Sequence, residues 1–248
     1  MTDWLQSSEL LVKKEGLETL KNAKVLVVGL GGVGSFAAEF LARAGVGNMT
    51  IVDGDIVDIT NINRQLPALH STVGKDKVEI VAERILDINP EINLVKINEF
   101  LSPERMDEIL EEHQFDYVLD CIDSVSPKLA LIKACRRRKI KLVSSMGAGG
   151  KTDPSKVLVR DLSKTNNCYL AKQIRKRLKK EGITKGFRCV FSTEIQKEES
   201  LKLTDGSNFK KSFYGTISFM PALFGLNAAA EVINYLLKEP SKKNQEQN

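Results

Sequence analysis

Between residues 24 and 145 the chain alternates short β-branched apolar runs with longer stretches in which apolar residues recur every three or four positions. Residues 24–29, Lys-Val-Leu-Val-Val-Gly, leave no room for polar alternation, the pattern of a central parallel strand buried on both faces. Residues 33–44 carry apolar side chains at helical spacing and stop beside Gly45, a C-cap residue. The same reading gives strand at 48–53, helix at 75–87, strand at 91–97, helix at 103–113, strand at 115–120, helix at 127–138 and strand at 141–145. Strand–helix alternation with short links predicts an α/β fold with a doubly wound, mostly parallel sheet. Beyond Gly150 the pattern is less regular, with a basic helix near 169–180 and an apolar helix near 221–237. No repeat and no Pro- or Gly-rich linker divides the chain, so residues 1–238 are expected to form one domain and 239–248 a frayed polar tail.

Composition narrows the class. With 248 residues and 42% hydrophobic positions, the chain is globular rather than disordered. Lys plus Arg outnumber Asp plus Glu by 37 to 32, a mild excess whose placement matters more than its size. The four cysteines, Cys121, Cys135, Cys168 and Cys189, form no Cys-x-x-Cys pair, which removes zinc ribbons and thioredoxin-like motifs and fits a reducing cytoplasm. The start is mixed and polar, without the basic-then-apolar leader of a secreted protein. The uncharged stretch 212–230 contains Pro221 with scattered Ser, Thr, Asn and Gly, and Glu231 closes it. That is a buried helix rather than a membrane span.

The candidate chemistry begins at Gly29-Leu-Gly31-Gly32-Val-Gly34, which follows the first strand and opens the first helix after it. Glycines there let the backbone approach a phosphate, and the helix N-terminus offers free N–H groups. Asp53, at the end of the next strand, stands where a carboxylate accepts hydrogen bonds from ribose hydroxyls. Taken alone these residues fit a nicotinamide-dependent dehydrogenase. Downstream, however, come Asp55, then Asn61-Ile-Asn63-Arg64-Gln65, then Gly74-Lys75-Asp76-Lys77. A guanidinium and an ammonium beside the glycine loop suit a nucleoside triphosphate, whose charges they neutralise as pyrophosphate departs. Asp120 and Asp123 sit at the carboxyl end of the fourth strand, and one of them would hold Mg²⁺ through oxygen ligands and phosphates.

These strings resemble a known superfamily, the adenylating enzymes related to ubiquitin-activating enzyme and to the sulfur-carrier activators of molybdopterin and thiamine synthesis. The resemblance rests on VVGLGGVGS at 27–35, VDGD at 52–55, TNINRQ at 60–65, VGKDK at 73–77 and DCIDS at 120–124. It implies a homodimeric enzyme that joins a carboxylate to AMP from ATP and Mg²⁺. Position by position, Gly29, Gly31, Gly32, Gly34, Asp53, Asp55, Asn61, Asn63, Gln65 and Ser124 would line the nucleotide site. Arg64 and Lys77 would act on the phosphates and Asp123 on the metal. Within the superfamily, SMGAGGKTDP at 145–154, DLSKT at 161–165, CVFSTE at 189–194 and YGTISFMP at 214–221 resemble the tRNA threonylcarbamoyladenosine dehydratase branch. Its implied reaction is ATP-dependent cyclisation of the threonylcarbamoyl side chain of a tRNA adenosine, with no zinc site and no cysteine nucleophile. An activator of a ubiquitin-like or sulfur-carrier protein is the alternative that the resemblance leaves, and a dimeric scaffold without catalysis is a further one. No residue pattern identifies a sulfur-transfer partner protein. Where this branch commonly carries an N-terminal arginine, this chain has Ser7, with Lys13 and Lys14 following.

Positive charge gathers in two places. Arg136-Arg137-Arg138-Lys139 with Lys141 ends one helix, where cations suit the helix C-terminus as well as they suit RNA. Lys172, Arg175, Lys176, Arg177, Lys179, Lys180, Lys185 and Arg188 form a second run, interrupted among acids only by Glu181. That density is expected to bind tRNA phosphates, with Tyr169 and Phe187 flanking it as stacking candidates.

Overall fold

The computed structural model describes residues 3–196, 198–203 and 212–238; the expected tail, 239–248, lies outside them. Helix α1 (Gln6–Asn22) leads into strand β1 (Lys24–Val28). Then follow α2 (Gly34–Arg43), β2 (Asn48–Val52), α3 (Lys77–Ile88), β3 (Asn93–Ile97), α4 (Pro103–Glu112), β4 (Tyr117–Asp120), α5 (Val125–Arg137) and β5 (Lys141–Ser145). The order matches the periodicity. Helix α5 starts two residues before the expected Pro127, because a proline fits the first helical turn, where its missing N–H has no partner to lose. The second half adds β6 (Val157–Asp161), α6 (Tyr169–Lys179), β7 (Arg188–Ser192), the antiparallel pair β8 (Leu201–Leu203) and β9 (Ser212–Tyr214), and α7 (Phe219–Lys238).

The main sheet has the order β3-β2-β1-β4-β5-β7-β6, and every neighbouring pair is parallel except β7 with β6. Register aligns Val28 with Val52 and Asp120, and Val52 with Ile97, so these strands end level along one edge. Alternation along β1 separates two cores. Val25 and Val27 face α2, α3 and α7, while Leu26 and Val28 face α4, α5 and α6.

By length and composition α7 is apolar enough to cross a membrane. Its Met220, Phe224, Ala228, Ala229 and Val232 are nevertheless buried in the first core, and Gly225 lets it touch the backbone of α2. Burial of each large side chain there is worth roughly 1.5–3 kcal/mol before ordering costs. This is a core helix.

Candidate active site

The residues expected to bind nucleotide converge on that level edge. Gly29 ends β1 at φ +91°, and a Cβ on it would stand 3.0 Å from the carbonyl oxygen of Cys121. Gly34 is tighter still: a Cβ would lie 1.7 Å from the Gly29 carbonyl oxygen, so only glycine lets the loop close onto the first turn of α2. The Ser35 hydroxyl donates to the Gly31 carbonyl at 2.6 Å and holds the loop in that shape. Gly32 lies against the Arg64 carbonyl, which joins the loop to the 59–65 segment.

Asp53 bridges the loop to β2. Its Oδ2 accepts from the Leu30 amide at 2.5 Å and its Oδ1 from the Asp55 amide at 2.8 Å. Burial pushes its carboxyl above the ordinary aspartate value, and the amides of Leu30 and Asp55 offset only part of that rise. Each oxygen keeps a lone pair for a ribose hydroxyl.

The phosphate candidates are held by their own partners. The Lys77 ammonium, almost entirely buried at the first residue of α3, donates to Asp55 Oδ2 at 2.9 Å. Asn61 is buried and accepts from the Asp58 amide, completing a capping box that fixes the short turn at Ile59–Asn61. Asn63 donates to the Thr216 carbonyl at 2.9 Å, so the second half of the chain closes onto this segment. Arg64 Nη1 donates to the Thr60 carbonyl and to Asn63 Oδ1, which steers the guanidinium and leaves its other N–H donors. Gln65 faces the space over Gly31, and its Oε1 is a buried acceptor with no partner. A buried acceptor without a partner beside the glycine loop is matched by a donor on a ligand, and these residues fit ATP.

The two aspartates after β4 separate. Asp120 was a metal candidate, but it is fully buried, with Oδ2 2.7 Å from the Lys128 ammonium and 2.5 Å from the Ser144 hydroxyl. Lys128 also donates to the Ser145 carbonyl at 2.9 Å, and Asp120 Oδ1 accepts from the Ile122 amide. With its charge used internally, Asp120 is a structural residue. Asp123 is exposed at the edge and accepts from the Ser124 hydroxyl at 3.2 Å. Among the described residues no group of three or more His, Cys, Asp or Glu could hold a metal unaided.

Sequence reasoning missed Lys128 because a lysine in a helix reads as solvated. It also missed Lys151, whose buried ammonium meets the Asn167, Ser192 and Glu194 carbonyls. Glu194 in turn accepts from the Thr152 and Asp153 amides, tying the 150–153 loop to the end of β7. Three of the thiols are disfavoured as thiolates by burial. Burial pushes Cys121 and Cys135 up to about 12 and raises Cys189 as well.

The basic run divides in space. Lys172, Lys176, Arg177 and Lys179 are exposed on α6, Lys180 is exposed at its C-cap, and Lys185 is exposed beyond it. Two expected tRNA contacts need correction. Arg175 folds back onto the carbonyl and hydroxyl of Thr165, and Arg188 pairs with Glu231 of α7 at 2.9 Å. Cys189 packs in the core beneath α6 and Val190 in the opposite one, so alternation sends Arg188 to the face away from α6. Phe187 is buried and not a stacking residue, whereas Tyr169 is exposed. In the other cluster Arg137 and Arg138 pair with Asp107, Arg138 also with Glu111, and Arg136 donates to the Gly186 carbonyl.

Known proteins are similar to this chain in sequence and fold. Over 239 residues the chain is 45% identical to the tRNA threonylcarbamoyladenosine dehydratase of Bacillus subtilis, covering 94% of each. It superposes on the Escherichia coli tRNA N6-threonylcarbamoyladenosine dehydratase crystallised with ATP with a TM-score of 0.85 at 39% identity, covering 100% of this chain and 99% of that one. Similarity to the Escherichia coli molybdopterin-synthase adenylyltransferase, 42% over 130 residues, spans 52% of this chain and 51% of that one. The ThiF family model matches residues 6–248. On this agreement of glycine loop, ribose acid and whole-chain likeness, the protein belongs to the ThiF family.

Proposed function

We infer that this protein is an ATP-dependent dehydratase that cyclises the threonylcarbamoyl side chain of threonylcarbamoyladenosine in tRNA. What carries the reading is an adenylate-type cradle in a chain that resembles tRNA dehydratases along 94% of both lengths. The substrate carboxylate attacks the α-phosphorus of ATP, and pyrophosphate leaves. The neighbouring carbamoyl group then attacks the acyl carbon of the mixed anhydride, AMP leaves, and the net change is loss of one water. Asp53 orients the ribose, the amides of the glycine loop meet the phosphates, and Arg64 and Lys77 stabilise charge on the phosphoryl oxygens. Mg²⁺ would be held by Asp123 together with the phosphates and would neutralise the departing pyrophosphate. The attacking group belongs to the substrate, which accords with burial that disfavours the thiolate form of Cys121 and Cys189.

The tRNA is taken to lie along the exposed cations of α6, with Lys172, Lys176, Arg177, Lys179 and Lys180 meeting phosphates. A homodimer fits the N-terminal region. Helix α1 is kinked at Lys13, φ +65°, and its outer part presents Leu10 and Leu11 to solvent at 77% and 83% exposure. A reducing cytoplasm suits the four free thiols.

The test is mass spectrometry of nucleosides from threonylcarbamoylated tRNA incubated with the protein, ATP and Mg²⁺, digested under conditions that preserve the ring. ATP-dependent loss of one water from the modified adenosine is expected. Bound ATP without any such loss rejects the dehydratase reading in favour of a carrier-protein activator.

A further inference from the structure

The edge that holds the glycine loop and Asp53 also holds an exposed aromatic ring. Phe100 follows β3, and its side chain is 77% exposed, whereas Phe187, Phe191 and Phe224 are core residues. Its backbone is nevertheless fixed on every side. Glu99, just before it, accepts from Arg105 Nε at 3.1 Å, and Leu101, just after it, packs into the second core. Ser102 then caps α4 by accepting from the Arg105 amide. Opposite lies Gly54, directly after Asp53. A Cβ on Gly54 would stand 2.6 Å from the Phe100 amide nitrogen and 2.9 Å from its ring carbon Cδ2. The absent side chain is what lets the Phe100 backbone and ring edge come up against the ribose-binding turn.

The order of the strands gives the ring a use. β1 leads into the phosphate loop, β2 beside it leads into Asp53, and β3 beside β2 ends three residues before Phe100. Asp53 donates its amide to the Ile97 carbonyl, so the ends of β2 and β3 are in register where the two residues meet. A 5′-nucleotide with phosphates over β1 and ribose at Asp53 must place its base at the end of β3. We propose that Phe100 is the platform on which the purine base of the nucleotide stacks. Resting on the adenylating function given above, this assigns base affinity to a residue outside the glycine, aspartate and lysine motifs. Stacking accepts any π-face, so the ring supplies affinity for the base more than discrimination between bases.

Three measurements on the full chain test it. Phe100→Ala is expected to weaken ATP binding about tenfold. It should leave affinity for inorganic tripolyphosphate unchanged, since that ligand carries the charges without the base. Phe100→Leu keeps bulk without the π-face and should lie close to the alanine variant. Trp4 is the one tryptophan in the sequence, so a Trp4→Phe/Phe100→Trp variant reports from position 100 alone. Its emission should be quenched by ATP and by adenosine, and not by tripolyphosphate. Phe100→Ala binding ATP within twofold of the parent would overturn the proposal, as would unquenched emission at saturating ATP. Equal losses for ATP and tripolyphosphate would overturn it too, because they would reveal a displaced loop rather than a lost stack. A parent protein that binds no ATP sinks the adenylating reading itself, and that result is distinct from ATP bound with an indifferent ring.

Discussion

The Lys128 ammonium lies 2.7 Å from Asp120 Oδ2, and neither side chain reaches solvent. The pair joins α5 to the ends of β4 and β5 directly beneath the segment that packs on Gly29 and presents Asp123. Removing one partner leaves the other as an uncompensated buried charge, which costs about 3–5 kcal/mol. Lys128→Met and Asp120→Asn should each lower stability by that order in urea unfolding, with the double variant recovering part of the loss. The single variants differ in their pH behaviour. Burial already raises the Asp120 carboxyl, against the pull of Lys128. Without the lysine the folded state must hold a proton there that the unfolded chain releases above about pH 4. The deficit of Lys128→Met should therefore grow as pH rises from about 4 to 7, and a deficit independent of pH would contradict it.

Arg64 and Lys77 are assigned to charge on the phosphates rather than to the fold. Arg64 is only partly buried, so its loss leaves no buried charge behind, whereas Lys77 is almost entirely buried and its partner Asp55 is half exposed. Alanine at either position should reduce adenylation by about 10²–10³-fold, measured as pyrophosphate exchange in the presence of modified tRNA, with the unfolding midpoint close to the parent for Arg64→Ala and lowered for Lys77→Ala, which gives up the packing of a buried stem. Near-parental exchange in both variants would remove the phosphate assignment.

The elements that place the site were legible because their burial is two-sided. Lys24–Val28 and Tyr117–Asp120 are continuous apolar runs, and such runs are what central parallel strands require. The glycine loop and Asp53 were legible because their chemistry needs residue types that few other environments demand. Helix α1 was not, since Leu20 is its one buried residue and an exposed helix leaves little periodic signal. Lys128 and Lys151 escaped for a related reason: nothing in one dimension shows that a lysine is matched to a carboxylate or to a ring of carbonyls. Arg175 and Arg188 misled in the opposite direction. They are neighbours of a basic run along the chain, while helical and strand periodicity turn one inward and the other to the far face of the sheet.

That division yields a contrast within one cluster. Lys176→Glu, Arg177→Glu and Lys180→Glu together should weaken tRNA binding and flatten the dependence of its logarithm on salt, leaving ATP affinity alone. Arg175→Ala should act on the fold instead, by freeing the Leu162–Thr165 turn whose carbonyl and hydroxyl it holds. Filter binding across a salt series, with unfolding curves for each variant, separates the two. Unchanged tRNA affinity in the triple reversal would make the α6 face an ordinary solvated surface.

Asp53 gives the site a pH dependence whose sign can be worked out. Burial is the largest influence on its carboxyl and raises it, while the Leu30 and Asp55 amides and the Lys77 charge pull the other way without cancelling the rise. The carboxylate therefore becomes neutral at a higher pH than an ordinary aspartate near about 3.9. A neutral carboxyl is a weaker acceptor for ribose hydroxyls and for the Leu30 amide, so ATP affinity should fall as pH drops through that raised value. The phosphates of ATP also titrate in mild acid, and comparison with Asp53→Asn at each pH removes their contribution. The asparagine variant should bind ATP more weakly at pH 7, and its disadvantage should shrink toward nothing as the medium becomes acidic. A parent-to-variant affinity ratio that stays constant down to about pH 4 would mean that the Asp53 charge is not what holds the ribose.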